Sequence, residues 1–260
     1  MGLSKSKQQT LFEWGYTAKG VVYSLIGFFA VATLIGISRG ATGPKDVIAW
    51  LGNNPAGQIL LTAIGLGLLC YCSYRWYTAV KDTENEGHDA SGSVKRVGWA
   101  VSGTAYGVLA VFAFKEAFAG GGSTGGKETM IAKILEYSWG QFAVYAIAAI
   151  MVGVAIYQVY RGVADKHMEG VKDQQLSDET EEAFRTTGRI GLVARSIVYG
   201  IIAYFLYQAA MQNDAGEFRG IQGALEYLGD GWGNAVLAVV GTGLLAYGIF
   251  MFVRAKYERV

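Results

Sequence analysis

Residues 15–23 read Gly-Tyr-Thr-Ala-Lys-Gly-Val-Val-Tyr, and they decide the fold because their pattern returns twice along the chain. With Tyr23, Tyr106 and Tyr199 aligned, Gly15, Gly98 and Gly191 stand eight residues earlier. Ala18, Val101 and Ala194 stand five earlier, and Gly20, Gly103 and Ser196 three earlier. Each copy then runs through an apolar stretch to Trp50-Leu51, Ile134-Leu135 or Tyr227-Leu228. Next come Gly57-Gln58, Gly140-Gln141 and Gly233-Asn234, followed seventeen residues on by Tyr74, Tyr157 and Phe250. The offsets are about 83 and 93 residues. Self-similarity at fixed spacing marks a repeated structural unit. The reading is a single membrane domain, 1–260, with repeat units 12–81, 95–164 and 188–257.

Composition says where such units live. Of the 260 residues 52% are hydrophobic and 17% charged, against about 25% charged in an ordinary soluble domain. Charge-free stretches run from Val21 to Ile37, Ile59 to Tyr74, Val97 to Phe114, Tyr137 to Tyr160, Ser196 to Asn213 and Gly231 to Val253. A bilayer core needs about 20 apolar residues per helix, and Lys and Arg at the ends snorkel outward. A soluble helical bundle would need polar faces, which Ala143–Ile156 does not have. The first stretch is followed by five more, so it does not read as a cleaved signal peptide.

A unit of two spans returns the chain to its starting side, so successive units share one orientation. The expected fold is therefore all-α: a polytopic membrane protein whose six transmembrane helices form three parallel helical-hairpin repeats in a pseudo-three-fold bundle. Small residues let helices approach closely in lipid, where apolar burial gives little drive to associate. Gly20, Gly27, Gly65, Gly67, Gly103, Gly107, Gly153, Gly200, Gly241 and Gly243 are the expected packing positions, with Ser196 in place of the third repeat's counterpart of Gly20.

Orientation follows from the basic residues. Sixteen of the 22 Lys and Arg, among them Lys19, Arg75, Arg161, Arg195 and Arg254, fall on the side that holds both termini. The positive-inside rule places that side in the cytoplasm.

The thrice-repeated pattern, quoted above for residues 15–23 and present again as Gly-Leu-Val-Ala-Arg-Ser-Ile-Val-Tyr at 191–199, resembles the domain of unknown function 1206 family. The resemblance runs from about Phe12 to Arg254. It implies a bacterial inner-membrane protein of three two-span units and carries no activity or functional residue with it. The middle copy departs from the pattern, since Ser102 stands where the other copies have Lys19 and Arg195.

Chemistry is sparse. The two His, His88 and His167, lie in charged loops outside the spans, which argues against a bis-His haem. Cys70 and Cys72 lie about 200° apart on a helix and cannot face one metal. The central portions of the spans contain no ionisable residue of the kind that marks proton or cation pathways. No cofactor or metal is expected, and no enzyme. With a net charge of +1, nucleic acid is not an expected partner.

Two sets of residues remain as lipid or ligand candidates. Tyr23, Tyr106 and Tyr199 are repeat-equivalent and belong at the membrane interface or against a helix neighbour. Lys19, Arg195, Arg161 and Arg254 stand at span ends, where they serve as topological anchors facing anionic headgroups. The stretches Pro44–Leu51, Thr129–Tyr137 and Arg219–Leu228 read as short helices lying in the interface. Asp165–Arg189 reads as a solvated loop. The expected function is a non-enzymatic scaffold or accessory protein that binds membrane lipids or other membrane proteins. The alternative is a small channel or transporter along the pseudo-three-fold axis.

Overall fold

The computed structural model describes residues 4–32, 51–52, 55–83, 87, 89–119, 126–169 and 177–259. All regular structure among them is helical. The helices are α1 (Lys5–Ala32), α2 (Pro55–Lys81), α3 (Ala90–Ala119), α4 (Gly126–Leu135), α5 (Gly140–Val163), α6 (Asp178–Gln212), α7 (Ile221–Trp232) and α8 (Asn234–Tyr257). Six of them, α1, α2, α3, α5, α6 and α8, are long and apolar enough to cross a membrane. The chain is a multi-pass helical membrane protein, and each repeat supplies two of the long helices.

Local chemistry accounts for the ends. Ser177 caps α6 by accepting from the Thr180 N–H, and Asp178, Glu179 and Glu181 fill the first turn, where the helix dipole favours negative charge. At the other end Asn213 takes the left-handed conformation, with φ of 53°. Asp82 and Asp165, one repeat apart, both follow their helices with φ of 51°. Short polar side chains tolerate that conformation better than apolar ones.

The described residues group into two units. Unit 1 draws on Met1–Val22, Ile48–Gly121 and Met251–Val260; unit 2 draws on Tyr23–Val47 and Gly122–Phe250. In unit 1, α2 packs along α3; in unit 2, α5 packs along α6.

Small residues make the closest helix approaches. A Cβ on Gly15 would lie 2.7 Å from the Tyr71 Cα, and one on Gly191 would lie 2.5 Å from the Tyr247 Cα. Gly67 meets Ala18 in unit 1, and its third-repeat counterpart Gly243 meets Ala194 in unit 2. Gly27 would strike the Gly241 carbonyl at 2.6 Å. Gly20 abuts the Phe252 ring at 2.8 Å, whereas Gly103 is less tight, 3.1 Å from the Arg75 Cβ. Ser196 is buried and donates to the Val193 carbonyl.

Two expected packing glycines do not pack. Among the described residues nothing lies within 4 Å of a Cβ on Gly153 or Gly200. Both stand on helix faces that carry exposed apolar side chains such as Ile150, Ile156 and Ile197, away from the helix seams among the described residues.

Among the stretches expected to lie at the interface, α4 and α7 are helices; Pro44–Trp50 lies outside the described residues. The start of Asp165–Arg189 is not a solvated loop. It folds as a 3₁₀ turn, Lys166–Met168, that buries His167 and Met168. His167 is wedged over Gly188, with Nδ1 3.1 Å from the Arg161 carbonyl and Nε2 3.1 Å from the Arg185 carbonyl. One proton on the ring serves one carbonyl, and a proton on each nitrogen serves both.

Candidate functional site

Two clusters of basic residues and tyrosines occupy matching repeat positions, one in each unit. In unit 1, Lys19 lies one helical turn after Tyr16 on α1, and Arg75 one turn after Tyr71 on α2. Residues three or four apart share a helix face. The Tyr71 hydroxyl is the hub: Lys19 Nζ donates to it at 3.1 Å and Arg75 Nε at 3.0 Å, and Ser102 Oγ lies 3.4 Å away. Arg75 Nη2 donates to the Tyr16 hydroxyl at 2.6 Å.

The rings contribute as well. Lys19 Nζ sits 4.3 Å from the Tyr71 centroid, 4.7 Å from Tyr106 and 5.3 Å from Tyr16. The Arg254 guanidinium lies 4.5 Å from the Tyr16 centroid, and that of Arg75 lies 5.8 Å away. Arg254 is also paired with Glu258 one turn on. Aromatic faces attract cations, more strongly where water is excluded, and Lys19 is only 3% exposed.

Unit 2 repeats this scheme with one cation. Arg195 Nη1 donates to the Tyr247 hydroxyl at 2.6 Å, and Nη2 donates to the Tyr199 hydroxyl. Its guanidinium lies 4.7 Å from the Tyr199 centroid, 4.9 Å from Tyr247 and 5.4 Å from Tyr23. Lys19 and Arg195 each reach a tyrosine 52 positions further along the chain. The ring pairs match too: Tyr71 and Tyr106 stand 4.8 Å apart at 73°, Tyr23 and Tyr247 4.8 Å apart at 77°.

The candidate residues are therefore divided. Tyr106 and Lys19 belong to the unit 1 cluster with Arg254, whereas Tyr23, Tyr199 and Arg195 belong to the unit 2 cluster. Tyr23 is a buried cage wall packed against helix neighbours, and Lys19 is a buried cation rather than a snorkelling anchor. Arg161 enters through its backbone, whose carbonyl is bonded to His167.

Close to that carbonyl, Asp165 accepts from Arg189 at 3.0 Å, with Arg185 at 3.5 Å. Desolvation pushes the Asp165 carboxyl up, but the Arg189 hydrogen bond and the positive charges around it prevail and hold it below the ordinary value.

Sequence reasoning missed the hubs, Tyr71 and Tyr247, and the role of Tyr16. The signal was available, because Tyr71 and Tyr247 share one repeat position just as Lys19 and Arg195 do.

A family model described as Domain of Unknown Function (DUF1206) matches the chain three times, at residues 14–82, 97–165 and 190–258. A Bacillus subtilis (strain 168) protein, described as uncharacterized protein YxxB, is 31% identical over 266 residues, which cover 99% of this chain and 96% of that protein. No solved structure matches the chain.

Proposed function

The chain belongs to the family of Domain of Unknown Function 1206, and from that premise we propose that it is a non-enzymatic membrane scaffold or accessory protein that binds lipids and partner membrane proteins. The observation that carries this reading is the pair of tyrosine-caged cation clusters at the span ends where basic residues concentrate. Basic residues that reach the surface beside such clusters attract anionic headgroups, each contributing about 1 kcal/mol. The proposed setting is the bacterial cytoplasmic membrane, with both termini in the cytoplasm, supported by sixteen of 22 basic residues falling on that side. Membrane lipids are the first partners and other membrane proteins the second. Nucleic acid is not among them.

Native mass spectrometry of the protein extracted in mild detergent tests the reading. The expected result is retained anionic phospholipid at defined stoichiometry. Protein that sheds every lipid in detergent yet conducts ions in vesicles would overturn it in favour of a channel.

A further inference from the structure

We propose that the Arg75 cluster of unit 1 is a phosphate-binding site, filled by the phosphate of a lipid headgroup or by free phosphate. The proposal rests on the lipid-binding reading above and gives it a place and a chemistry. Arg75 is held by two tyrosine hydroxyls: Nε donates to that of Tyr71 and Nη2 to that of Tyr16. Among the described residues Nη1 donates to none, and no carboxylate forms an ion pair with this guanidinium. Lys19 brings a second cation to the same Tyr71 oxygen, and Arg254 brings a third to the Tyr16 ring that the other two also approach. Arg254 is engaged by Glu258 one turn on.

Like charges gathered at the edge of a low-dielectric region repel one another, and ring contacts offset only part of that cost. Phosphate oxygens answer it. They accept several charge-assisted hydrogen bonds at once, and the planar guanidinium fork suits them. The cluster also stands at the span ends richest in Lys and Arg, where headgroup phosphates lie. Unit 2 is the internal control. Met251 stands at the repeat position of Arg75 and Leu192 at that of Tyr16, so Arg195 is one cation among three tyrosine rings.

The test uses full-length protein stripped of lipid in detergent. Binding is read as the rise in unfolding temperature on titration with phosphatidylglycerol, with inorganic phosphate, or with chloride at matched ionic strength. The variants are Arg75→Met, which installs the residue the chain already uses at position 251, and Lys166→Met, at an exposed lysine outside both clusters. Wild type should respond to a phosphate-bearing probe and not to chloride. Arg75→Met should weaken that response at least tenfold, and Lys166→Met should leave it within about twofold. Response to phosphatidylglycerol alone assigns the site to a headgroup; response to inorganic phosphate assigns it to the free anion. Equal response to chloride, or undiminished binding by Arg75→Met, overturns the proposal. Arg75→Gln carries the same two outcomes if Arg75→Met does not fold. Native spectra still showing bound phospholipid would then keep the general lipid reading while this site fails.

Discussion

At matching repeat positions unit 1 holds Lys19, Arg75 and Arg254 around Tyr16 and Tyr71, whereas unit 2 holds Arg195 among Tyr23, Tyr199 and Tyr247. The backbone seams agree closely, with Gly15 against Tyr71 in one and Gly191 against Tyr247 in the other. The charges do not agree. Packing is what the repeat preserves, because a glycine seam admits few substitutes; charge is free to change once the ring cage is built. A similar exchange occurs beside each cluster. In unit 1 the Phe12 ring meets Tyr74 edge-on at 5.3 Å; in unit 2 the position of Phe12 is Gly188, and the His167 ring meets Phe250 edge-on at 5.5 Å.

The comparison breaks most visibly at the seams. Gly15→Ala and Gly191→Ala should each cost about 1–3 kcal/mol, because the added methyl meets backbone that cannot yield. Gly98→Ala should be neutral or stabilising, since the second repeat leaves that position open and Ala is the better helix former. Thermal unfolding in detergent measures all three, and equal losses would show that the three copies pack alike after all.

Smaller effects sharpen the charge side. Arg195→Met removes two hydrogen bonds and three ring contacts and should cost about 1–2 kcal/mol. Arg195→Lys should recover most of it, because a lysine, Lys19, already donates to the matching hydroxyl in unit 1. A Lys variant no better than Met would mean that the two cages work differently.

His167→Phe tests the ring exchange. It keeps the contact with Phe250 and loses the ring N–H donation to the flanking Arg161 and Arg185 carbonyl oxygens, for about 1 kcal/mol. Hydrogen exchange should quicken around residues 164–169, and unchanged protection would leave the imidazole as filler only.

The smallest effect is expected for Asp165→Asn, a few tenths of a kcal/mol, because its ion pairs face solvent. The folded-state carboxyl lies below its usual value, so its contribution is present above the ordinary carboxylate range and fades as pH falls through the lowered value. Unfolding temperatures of wild type and Asp165→Asn should therefore converge in acid.

Much was legible before any coordinates. The repeat register, the six spans and the basic bias come from spacing and composition, which act locally and survive any arrangement of the helices. Gly27 and Gly67 were found as packing positions by the same reasoning, whereas Gly153 and Gly200 were not separable from them, since a glycine away from a helix seam and one facing a helix look identical in sequence. Lys19 shows the limit most clearly. A lysine at a span end ordinarily snorkels, and it takes the Tyr71 hydroxyl together with the rings of Tyr16, Tyr71 and Tyr106 to make its burial tolerable. His167 read as a solvated loop residue because the space above Gly188 that receives it is made by another helix.

Sequence by itself determined a helical, multi-pass membrane protein of three hairpin units, because hydrophobic run length and charge placement fix what can sit in a bilayer. Tertiary structure alone decided which cations meet which tyrosines, and hence that unit 1 gathers three charges where unit 2 keeps one. Those contacts join residues 52 or more positions apart, and their strength depends on the exclusion of water around them, which no local pattern encodes.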